Sequence, residues 1–137
     1  MKSQTPTYKL DVKKSIAGLG LFAGEAIKKG SKIIEYIGEK ISADEANKRG
    51  GKYLFEINSK WTIDGTTRKN IARYVNHACV PIANCEADVK NVRIWILAKK
   101  NIEPGQELFY DYGKEYFDEH IKPHGCRCAK HTTTVQG

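Results

Sequence analysis

Residues 73–81 read RYVNHACVP and form the densest polar cluster in the sequence. Two members, His77 and Cys79, are residue types that can form a catalytic nucleophile pair. Catalytic partners usually come from segments far apart in the chain, so closeness in sequence is poor support for a thiol enzyme. Asn and His side chains can also satisfy backbone groups where the chain reverses sharply. The residues by themselves favour a buried, hydrogen-bonded turn.

Residues 107–112 read ELFYDY and contain two aromatic rings with the same spacing as one face of a strand. Tyr110 and Tyr112 are therefore expected on the same side of the chain. Either the two rings pack in an aromatic core, or their hydroxyl groups point into one pocket. The chain has 7 tyrosines, so the pattern leaves both interpretations open.

Short apolar or alternating runs separated by turn signals predict strands, because they are too short for helices and rich in Ile, Val, Tyr, Phe and Trp. These runs are residues 8–12, 20–23, 32–37, 53–57, 61–63, 92–98 and 107–112. Ser42 and Glu45 predict a capped short helix that Gly50 ends. A second short helix is predicted from Thr67. Without long helices between the strands, the sequence predicts a mainly-β domain of several small sheets.

Length and charge exclude several classes of protein. The chain has 137 residues, typical of one domain, and a formal net charge of +7. No basic run exceeds two residues, which predicts a dispersed positive surface and gives no indication of direct nucleic-acid binding. No apolar run approaches the roughly 18 residues that span a bilayer, so no membrane association is predicted. The N-terminus lacks the apolar region of a signal peptide, which predicts an intracellular protein.

A glycine-rich run at Gly18–Ala23 matches the dinucleotide-binding pattern G-x-G-x-x-G/A. That pattern requires a long helix directly after it, whereas this segment soon becomes another predicted strand. A turn between strands is therefore expected. A sharper alternative is that backbone without a Cβ allows a ligand to lie close against the chain.

The cysteines are clustered rather than spread as a disulfide framework, and they are read first as thiols or metal ligands. They are Cys79, Cys85, Cys126 and Cys128. Three histidines lie near Cys126 and Cys128 in the C-terminal region, at His120, His124 and His131. The pattern allows a metal site completed by Cys79 from the middle of the chain, or surface histidines beside reduced thiols.

Taken together and in this order, the segments resemble a SET-domain protein-lysine N-methyltransferase over residues 10–128. Five segments carry the resemblance: residues 15–23, 36–39 (YIGE), 53–55 (YLF), 73–81 and 107–112. The compact form, with a Cys-x-Cys after the core, is most similar to bacterial members. The resemblance implies the SET-domain fold, with several small β-sheets, short helices and a C-terminal pseudoknot. It implies an N-terminal extension at 1–9, a SET core at 10–113 and a post-SET-like segment and tail at 114–137.

The resemblance also implies a cofactor, S-adenosylmethionine, and a protein substrate that presents a lysine. The implied cofactor-binding residues are Ala17, Gly18, Leu19, Tyr53, Arg73, Asn76 and His77. The lysine would enter from the opposite side through a channel lined by Tyr36, Tyr110 and Tyr112, of which Tyr112 holds the family's catalytic position. Tyr110 occupies the family's Phe/Tyr switch position, which implies mainly monomethylation.

The resemblance implies a zinc site for which only some of the family's ligands are present. Cys79, Cys126 and Cys128 match three post-SET ligands, and His131 is the expected fourth, because Thr133 stands where the family has a cysteine. The alternative is a metal-free tail that folds over the channel when substrate binds. Two further departures from the family pattern lie in or next to residues 73–81: Ala78 replaces a serine, and residues 82–83 separate the usual Pro-Asn pair.

The resemblance leaves one competing function, a SET-like binding module that docks a protein or nucleic acid without turnover. The tyrosines and the Asn76-His77 pair favour the enzyme, because a pure binder has no need of them. The expected location is the cytoplasm, or host chromatin if the protein is exported by a route without a signal peptide.

Overall fold

A computed structural model describes residues 7–15, 18–51, 53–78 and 82–111. Short strands dominate this part of the chain, as the sequence predicted. In chain order the elements are β1 (Leu10–Ser15), β2 (Gly18–Ala23), β3 (Lys32–Tyr36), β4 (Glu39–Ser42), α1 (Ala43–Arg49), β5 (Leu54–Glu56), β6 (Trp61–Asp64), a 3₁₀ helix (Ile71–Tyr74), β7 (Asn76–His77), β8 (Cys85–Lys90), β9 (Arg93–Ala98) and β10 (Phe109–Tyr110).

Two small antiparallel sheets flank the main one. Strands β1 and β2 form a hairpin whose pairing runs from Leu10 opposite Ala23 to Ser15 opposite Gly18. Strands β4, β6 and β5 form a three-stranded sheet in that order. Helix α1 leads away from β4 and is capped by the Ser42 side chain, which accepts a hydrogen bond from the Glu45 amide at 3.1 Å. The predicted short helix is therefore confirmed.

The main sheet has five strands in the order β3-β9-β8-β10-β7. The β3, β9 and β8 strands pair antiparallel, whereas β10 runs parallel to both of its neighbours. Strands β7 and β8 follow each other in the chain, yet β10 lies between them. The last strand of the described residues is thus inserted between two earlier ones, which agrees with the expected pseudoknot topology.

The core lies against the main sheet and consists mostly of branched aliphatic side chains. Its fully buried members include Leu21, Ile27, Ile33, Ile34, Ile94, Ile96, Ile102 and Leu108. Alternate residues of β9 are buried and less buried in turn, which is the period-2 pattern that predicted this strand. Burial of these side chains supplies the main stabilisation of the fold, at about 25 cal/mol per Å² of apolar surface. The mainly-β prediction is confirmed.

Two local predictions differ from the structure. The helix expected from Thr67 is a single 3₁₀ turn that begins only at Ile71. The segment at residues 73–81, expected as a turn, enters the main sheet as β7 at Asn76. Both differences arise because tertiary contacts outweigh the local pattern here. Within the described residues, no helix is long and apolar enough to cross a membrane.

Candidate functional site

Residues 73–81 and 107–112 are here called the first and the second signature segment. Each contributes a short strand to the main sheet, and these two strands lie side by side. Strand β7, from the first segment, pairs with β10, from the second, so that Phe109 is opposite Asn76 and Tyr110 is opposite His77. The Ala78 amide also donates a hydrogen bond to the Tyr110 carbonyl at 3.2 Å. Residues more than 30 positions apart in the chain therefore converge on one place.

An asparagine side chain holds the second signature in the sheet. Asn84 donates through Nδ2 to the Glu107 carbonyl and accepts through Oδ1 from the Phe109 amide, both at 2.9 Å. The side-chain amide thus replaces a strand neighbour at this point of β10. Residues 82–83 precede this asparagine in the chain, with Ile82 exposed and Ala83 buried.

The glycine-rich strand meets the first signature at its exposed end. Gly18 has φ = 100°, a conformation that favours glycine. Its neighbour Leu19 is 47% exposed, and the Leu19 carbonyl accepts a hydrogen bond from Asn76 Nδ2 at 3.1 Å. Three of the residues expected at the cofactor site are therefore in contact or adjacent. Ala17 lies outside the described residues.

A guanidinium group lies close to two tyrosine rings beside this strand. Arg73 Cζ is 4.6 Å from the ring centroid of Tyr53 and 5.0 Å from that of Tyr74, within cation–π range. Arg73 also donates to the Thr66 carbonyl. Its Nε is buried without a hydrogen-bond partner among the described residues. A buried donor without a partner is costly, so this atom is suited to a ligand acceptor.

Three aromatic rings from three strands form a cluster at the end of the main sheet. Tyr36 and Phe55 have ring centroids 5.5 Å apart with an interplanar angle of 55°, and Phe55 stacks on Tyr110 at 6.3 Å and 29°. Both tyrosines are buried, at 5% and 7% exposure. The Tyr36 hydroxyl donates to the Tyr53 carbonyl at 2.8 Å, which links the cluster to the arginine stack.

Close backbone packing fixes the position of Tyr36. A Cβ added at Gly65 would collide with the Tyr36 ring and with Asn70 Nδ2, so only glycine fits there. Asn70 is completely buried and connects the segments that contain Ile37 and Gly65. Its side chain accepts a hydrogen bond from the Ile37 amide and donates one to the Gly65 carbonyl, each at 3.2 Å. Gly65 therefore lets the Tyr36 ring approach the backbone, while Asn70 holds the amide of the neighbouring Ile37.

His77 lies next to the aromatic cluster through the β7–β10 pairing. Its side chain is only 5% exposed, and Nδ1 is 3.9 Å from Oδ1 of Asp111. That distance is too long for a hydrogen bond but within the range of an ion pair when the imidazole is protonated.

Sequence reasoning missed several residues that build this site. Phe55 was noted only as part of a strand, and Glu107 only as the first residue of a motif. Asn70 and Gly65 carried no signal, because nothing local distinguishes a buried bridging asparagine or a closely packed glycine from turn residues. Asn84 could be recognised in the sequence, because it is the asparagine that residues 82–83 separate from Pro81.

Several predicted site residues lie outside the described residues. They are Ala17, Cys79, Tyr112, Cys126, Cys128 and His131. The remaining cysteine, Cys85, is buried in β8, and burial raises its pKa to about 12. Among the described ranges, no three His, Cys, Asp or Glu side chains come together as a metal site. The zinc ligand set stays a prediction.

Comparison with known proteins identifies the family. The model of the SET domain matches residues 18–113. Histone-lysine N-methyltransferase 2D of Homo sapiens is 39% identical over 126 residues, covering 83% of this chain and 2% of that protein. Histone-lysine N-methyltransferase trr of Drosophila melanogaster is also 39% identical over 126 residues, with 83% and 5% covered. Histone-lysine N-methyltransferase ASHH1 of Arabidopsis thaliana is 42% identical over 113 residues, with 73% and 23% covered.

The fold comparison agrees with the sequence comparison. A chain of an active polycomb repressive complex 2 in the stimulated state superposes with a TM-score of 0.74 at 33% identity, covering 84% of this chain and 16% of that one. The chain spans less than a quarter of the length of these curated relatives. The expected similarity to bacterial members stays a prediction. The family match over most of the chain, together with two convergent signature segments, shows that the chain belongs to the SET-domain family.

Proposed function

We propose that this chain is a protein-lysine N-methyltransferase that uses S-adenosylmethionine. One observation carries the proposal: the pairing of β7 with β10 brings Asn76 and His77 beside Tyr110, so cofactor-type and channel-type residues occupy one site. The names of the relatives support a lysine in a protein, such as a histone or another basic protein, as the acceptor. A SET core at 10–113 with a post-SET-like segment at 114–137 fits this function.

The described residues fit the proposed cofactor. The open backbone at Gly18 and Leu19 and the amide of Asn76 provide hydrogen-bonding groups at one exposed strand end, and the unpartnered Nε of Arg73 adds a buried donor. The guanidinium of Arg73, 4.6 Å from the Tyr53 ring centroid, adds a positive charge beside an aromatic ring. Ala17 and the imidazole of His77 complete the proposed binding set. When bound, S-adenosylmethionine supplies an activated methyl group on a sulfonium.

The aromatic cluster is suited to hold the substrate lysine. A free lysine has a pKa near 10.4, so its amine is mostly protonated and unreactive at neutral pH. Burial among Tyr36, Phe55 and Tyr110 disfavours the ammonium form, which makes a neutral nucleophile available. Alignment of the amine in a narrow channel then supplies much of the rate enhancement. We assign Tyr112 the role of orienting the amine at the end of that channel.

We assign to Tyr110 the role of limiting how many methyl groups are added to the lysine. A tyrosine hydroxyl in the channel can hold a water or the amine by hydrogen bonding, which occupies the space that a methylated amine needs. Expelling an ordered water costs up to about 2 kcal/mol, which slows a second transfer. The proposed product is therefore mainly monomethyl-lysine.

A methyl-transfer assay tests the proposal. The full chain is incubated with radiolabelled S-adenosylmethionine and either histones or host lysate, and labelled bands are identified by mass spectrometry. Tyr112→Phe removes one hydroxyl and is expected to abolish most turnover while cofactor affinity stays near wild type. Cofactor binding is followed in parallel by thermal shift, since a ligand at 100 times its Kd stabilises a protein by about 2.7 kcal/mol.

The assay separates the enzyme from a binding module. Labelled lysine in a protein band, lost in Tyr112→Phe, supports the methyltransferase. A chain that gains no thermal stability at millimolar cofactor and labels no protein is not this enzyme. Near-wild-type turnover in Tyr112→Phe would show that the catalytic position is misassigned.

A further inference from the structure

Two separate segments, residues 27–32 and residues 98–102, run antiparallel to each other where β3 begins and β9 ends. Ile27 and Ile102 pair through two backbone hydrogen bonds, at 2.9 and 2.8 Å. Both isoleucines are buried, so the pairing is anchored in the core. We call the two segments together the lysine surface. Its lysines are Lys28, Lys29, Lys32, Lys99 and Lys100.

A tight turn shapes the first of these segments. The Ser31 amide donates to the Lys28 carbonyl at 3.1 Å, and Gly30 has φ = 87°, as the third residue of a type II turn does. The Gly30 amide also donates to the Ala98 carbonyl at 2.7 Å, which attaches the turn to the second segment. Backbone hydrogen bonds therefore fix where the lysines at the start of this turn stand.

The lysine surface carries positive charge without local compensation. Its two sequences, IKKGSK and AKKNI, contain five lysines and no acidic residue, whereas the whole chain has 23 basic and 16 acidic residues. Lys28 and Lys29 are exposed, and neither they nor Lys99 form an ion pair with any residue that the structure describes. Positive charges concentrated in this way attract a polyanion.

The lysine surface lacks the apolar groups of a membrane-binding site. A protein that lies on a bilayer buries exposed apolar side chains at the level of the lipid headgroups. In the described part of the chain, the exposed large hydrophobic residues lie outside these two segments, at Val12, Leu19, Ile82, Val89 and Val92. The surface offers charge without an apolar anchor, which favours a phosphate backbone in water over a bilayer.

A single-stranded nucleic acid is also a poorer match than a duplex. Single strands bind by stacking their bases on aromatic side chains. The two segments contain no aromatic residue, and the ring of Trp95 on the neighbouring strand already has Lys32 Nζ 4.9 Å and Arg93 Cζ 5.0 Å from its centroid. A duplex hides its bases and presents one phosphate charge per about 1.7 Å of its axis, so lysines alone can bind it.

We infer that the lysine surface binds the phosphate backbone of duplex DNA without reading the base sequence. Lysine contacts to phosphates carry no sequence information, and they gain free energy by releasing condensed counterions. Lys32 begins β3 and Tyr36 ends it, so these contacts lie at the other end of that strand from the aromatic cluster. The inference goes beyond the proposed function and does not depend on it.

Fluorescence anisotropy of a labelled duplex of about 20 base pairs, titrated with the full chain at several salt concentrations, tests the inference. Wild type is expected to bind with a Kd of about 1 to 100 μM near physiological salt, whatever the base sequence. About four neutralised phosphates predict a slope of about −3 to −4 when the logarithm of the association constant is plotted against that of the salt concentration.

Three variants locate the binding. Lys28→Gln combined with Lys29→Gln should weaken binding about tenfold or more at low salt and reduce the steepness of the slope by about two. Lys99→Gln, in the other segment, should reduce it by about one. Lys48→Gln combined with Lys60→Gln is the matched control, because it removes the same charge from two exposed lysines elsewhere; its slope should stay near wild type. Circular dichroism checks that each variant is folded.

Four results would overturn the inference. They are no binding by wild type at the lowest salt, equal losses in the Lys28/Lys29 variant and the control, an unchanged slope in Lys99→Gln, and tighter binding to anionic lipid vesicles or to a single strand of the same length than to the duplex. None of these measurements needs the cofactor or a substrate lysine, so their failure leaves the proposed function intact.

Discussion

The side-chain amide of Asn84 takes the place of a neighbouring strand for Phe109. Its Oδ1 accepts the Phe109 amide at 2.9 Å while its Nδ2 reaches the carbonyl two residues earlier at the same distance. Both partners are backbone groups beside the buried Leu108, where water cannot easily replace a lost hydrogen bond. Asn84 thus stabilises the strand that carries Tyr110.

Asn84→Ala should therefore lower the free energy of unfolding by about 2–4 kcal/mol, because it leaves a backbone donor and a backbone acceptor without partners. Chemical denaturation monitored by circular dichroism measures the change. Glu86→Ala is the matched control, since Glu86 is exposed on β8, two residues after Asn84; its effect should stay within about 0.5 kcal/mol. Equal effects of the two substitutions would contradict the assigned role of Asn84.

Tyr110→Phe should shift the product from monomethyl-lysine toward dimethyl- and trimethyl-lysine. The Tyr110 ring stacks on Phe55, so removal of one hydroxyl leaves the packing in place. The hydroxyl that holds a water or the amine is lost, and a methylated amine can then align for another transfer. Mass spectrometry of the methylated product from both proteins measures the change. Predominant trimethylation by wild type, or the same product distribution in both, would rule out the switch assignment.

Cys85 should be the least reactive cysteine in the folded protein and should make its stability depend on alkaline pH. Burial raises the pKa of this thiol to about 12, so the folded state keeps the proton when the unfolded state has already lost it. The unfolded state then binds fewer protons, and the free energy of unfolding falls as pH rises above about 9, by up to about 1.4 kcal/mol per pH unit.

Denaturation at pH 8, 9 and 10 measures this slope, and Cys85→Ala provides the control in which the Cys85 contribution is absent. Alkylation of the native protein followed by peptide mapping should leave Cys85 unmodified. Rapid labelling of Cys85 without denaturant would show that the thiol is accessible after all.

The zinc prediction is tested by metal analysis. Protein purified without chelator should contain about one zinc ion per chain, held by Cys79, Cys126, Cys128 and His131 in a tetrahedral set. His131→Ala should lower the zinc content, whereas His120→Ala, outside the proposed set, should not. A zinc content near zero per chain would favour the metal-free tail.

The strands could be predicted because their side chains alternate in the sequence. The exceptions are β4, β7 and β8, and the residues of β8 after Cys85 are mostly exposed and carry little apolar signal. This segment becomes a strand because it pairs along its whole length with β9. The two strands are joined by Asn91 and Val92, both with positive φ, and a valine there is not a turn signal that sequence reasoning would use.

The site could be predicted only where a motif carries it. Arg73, Asn76 and Tyr110 stand in signature segments, whereas Asn70 acts through contacts that exist only after folding. Which charged residues become neighbours also depends on the tertiary fold. The segments that carry Lys28–Lys29 and Lys99–Lys100 are neighbours, since the Gly30 amide donates to the Ala98 carbonyl at 2.7 Å, and the sequence does not indicate this.

The strand order of the main sheet sets the order in which the chain can fold. Within the described residues, β7 has β10 as its strand partner, and β10 is the last of the strands to be synthesised. The first signature therefore cannot complete its sheet until nearly all of the preceding chain has left the ribosome. Non-local pairing of this kind has to meet the entropic cost of closing the loop before it gains any contacts, and this slows folding. The site is therefore complete only when the last of these strands has paired with β7.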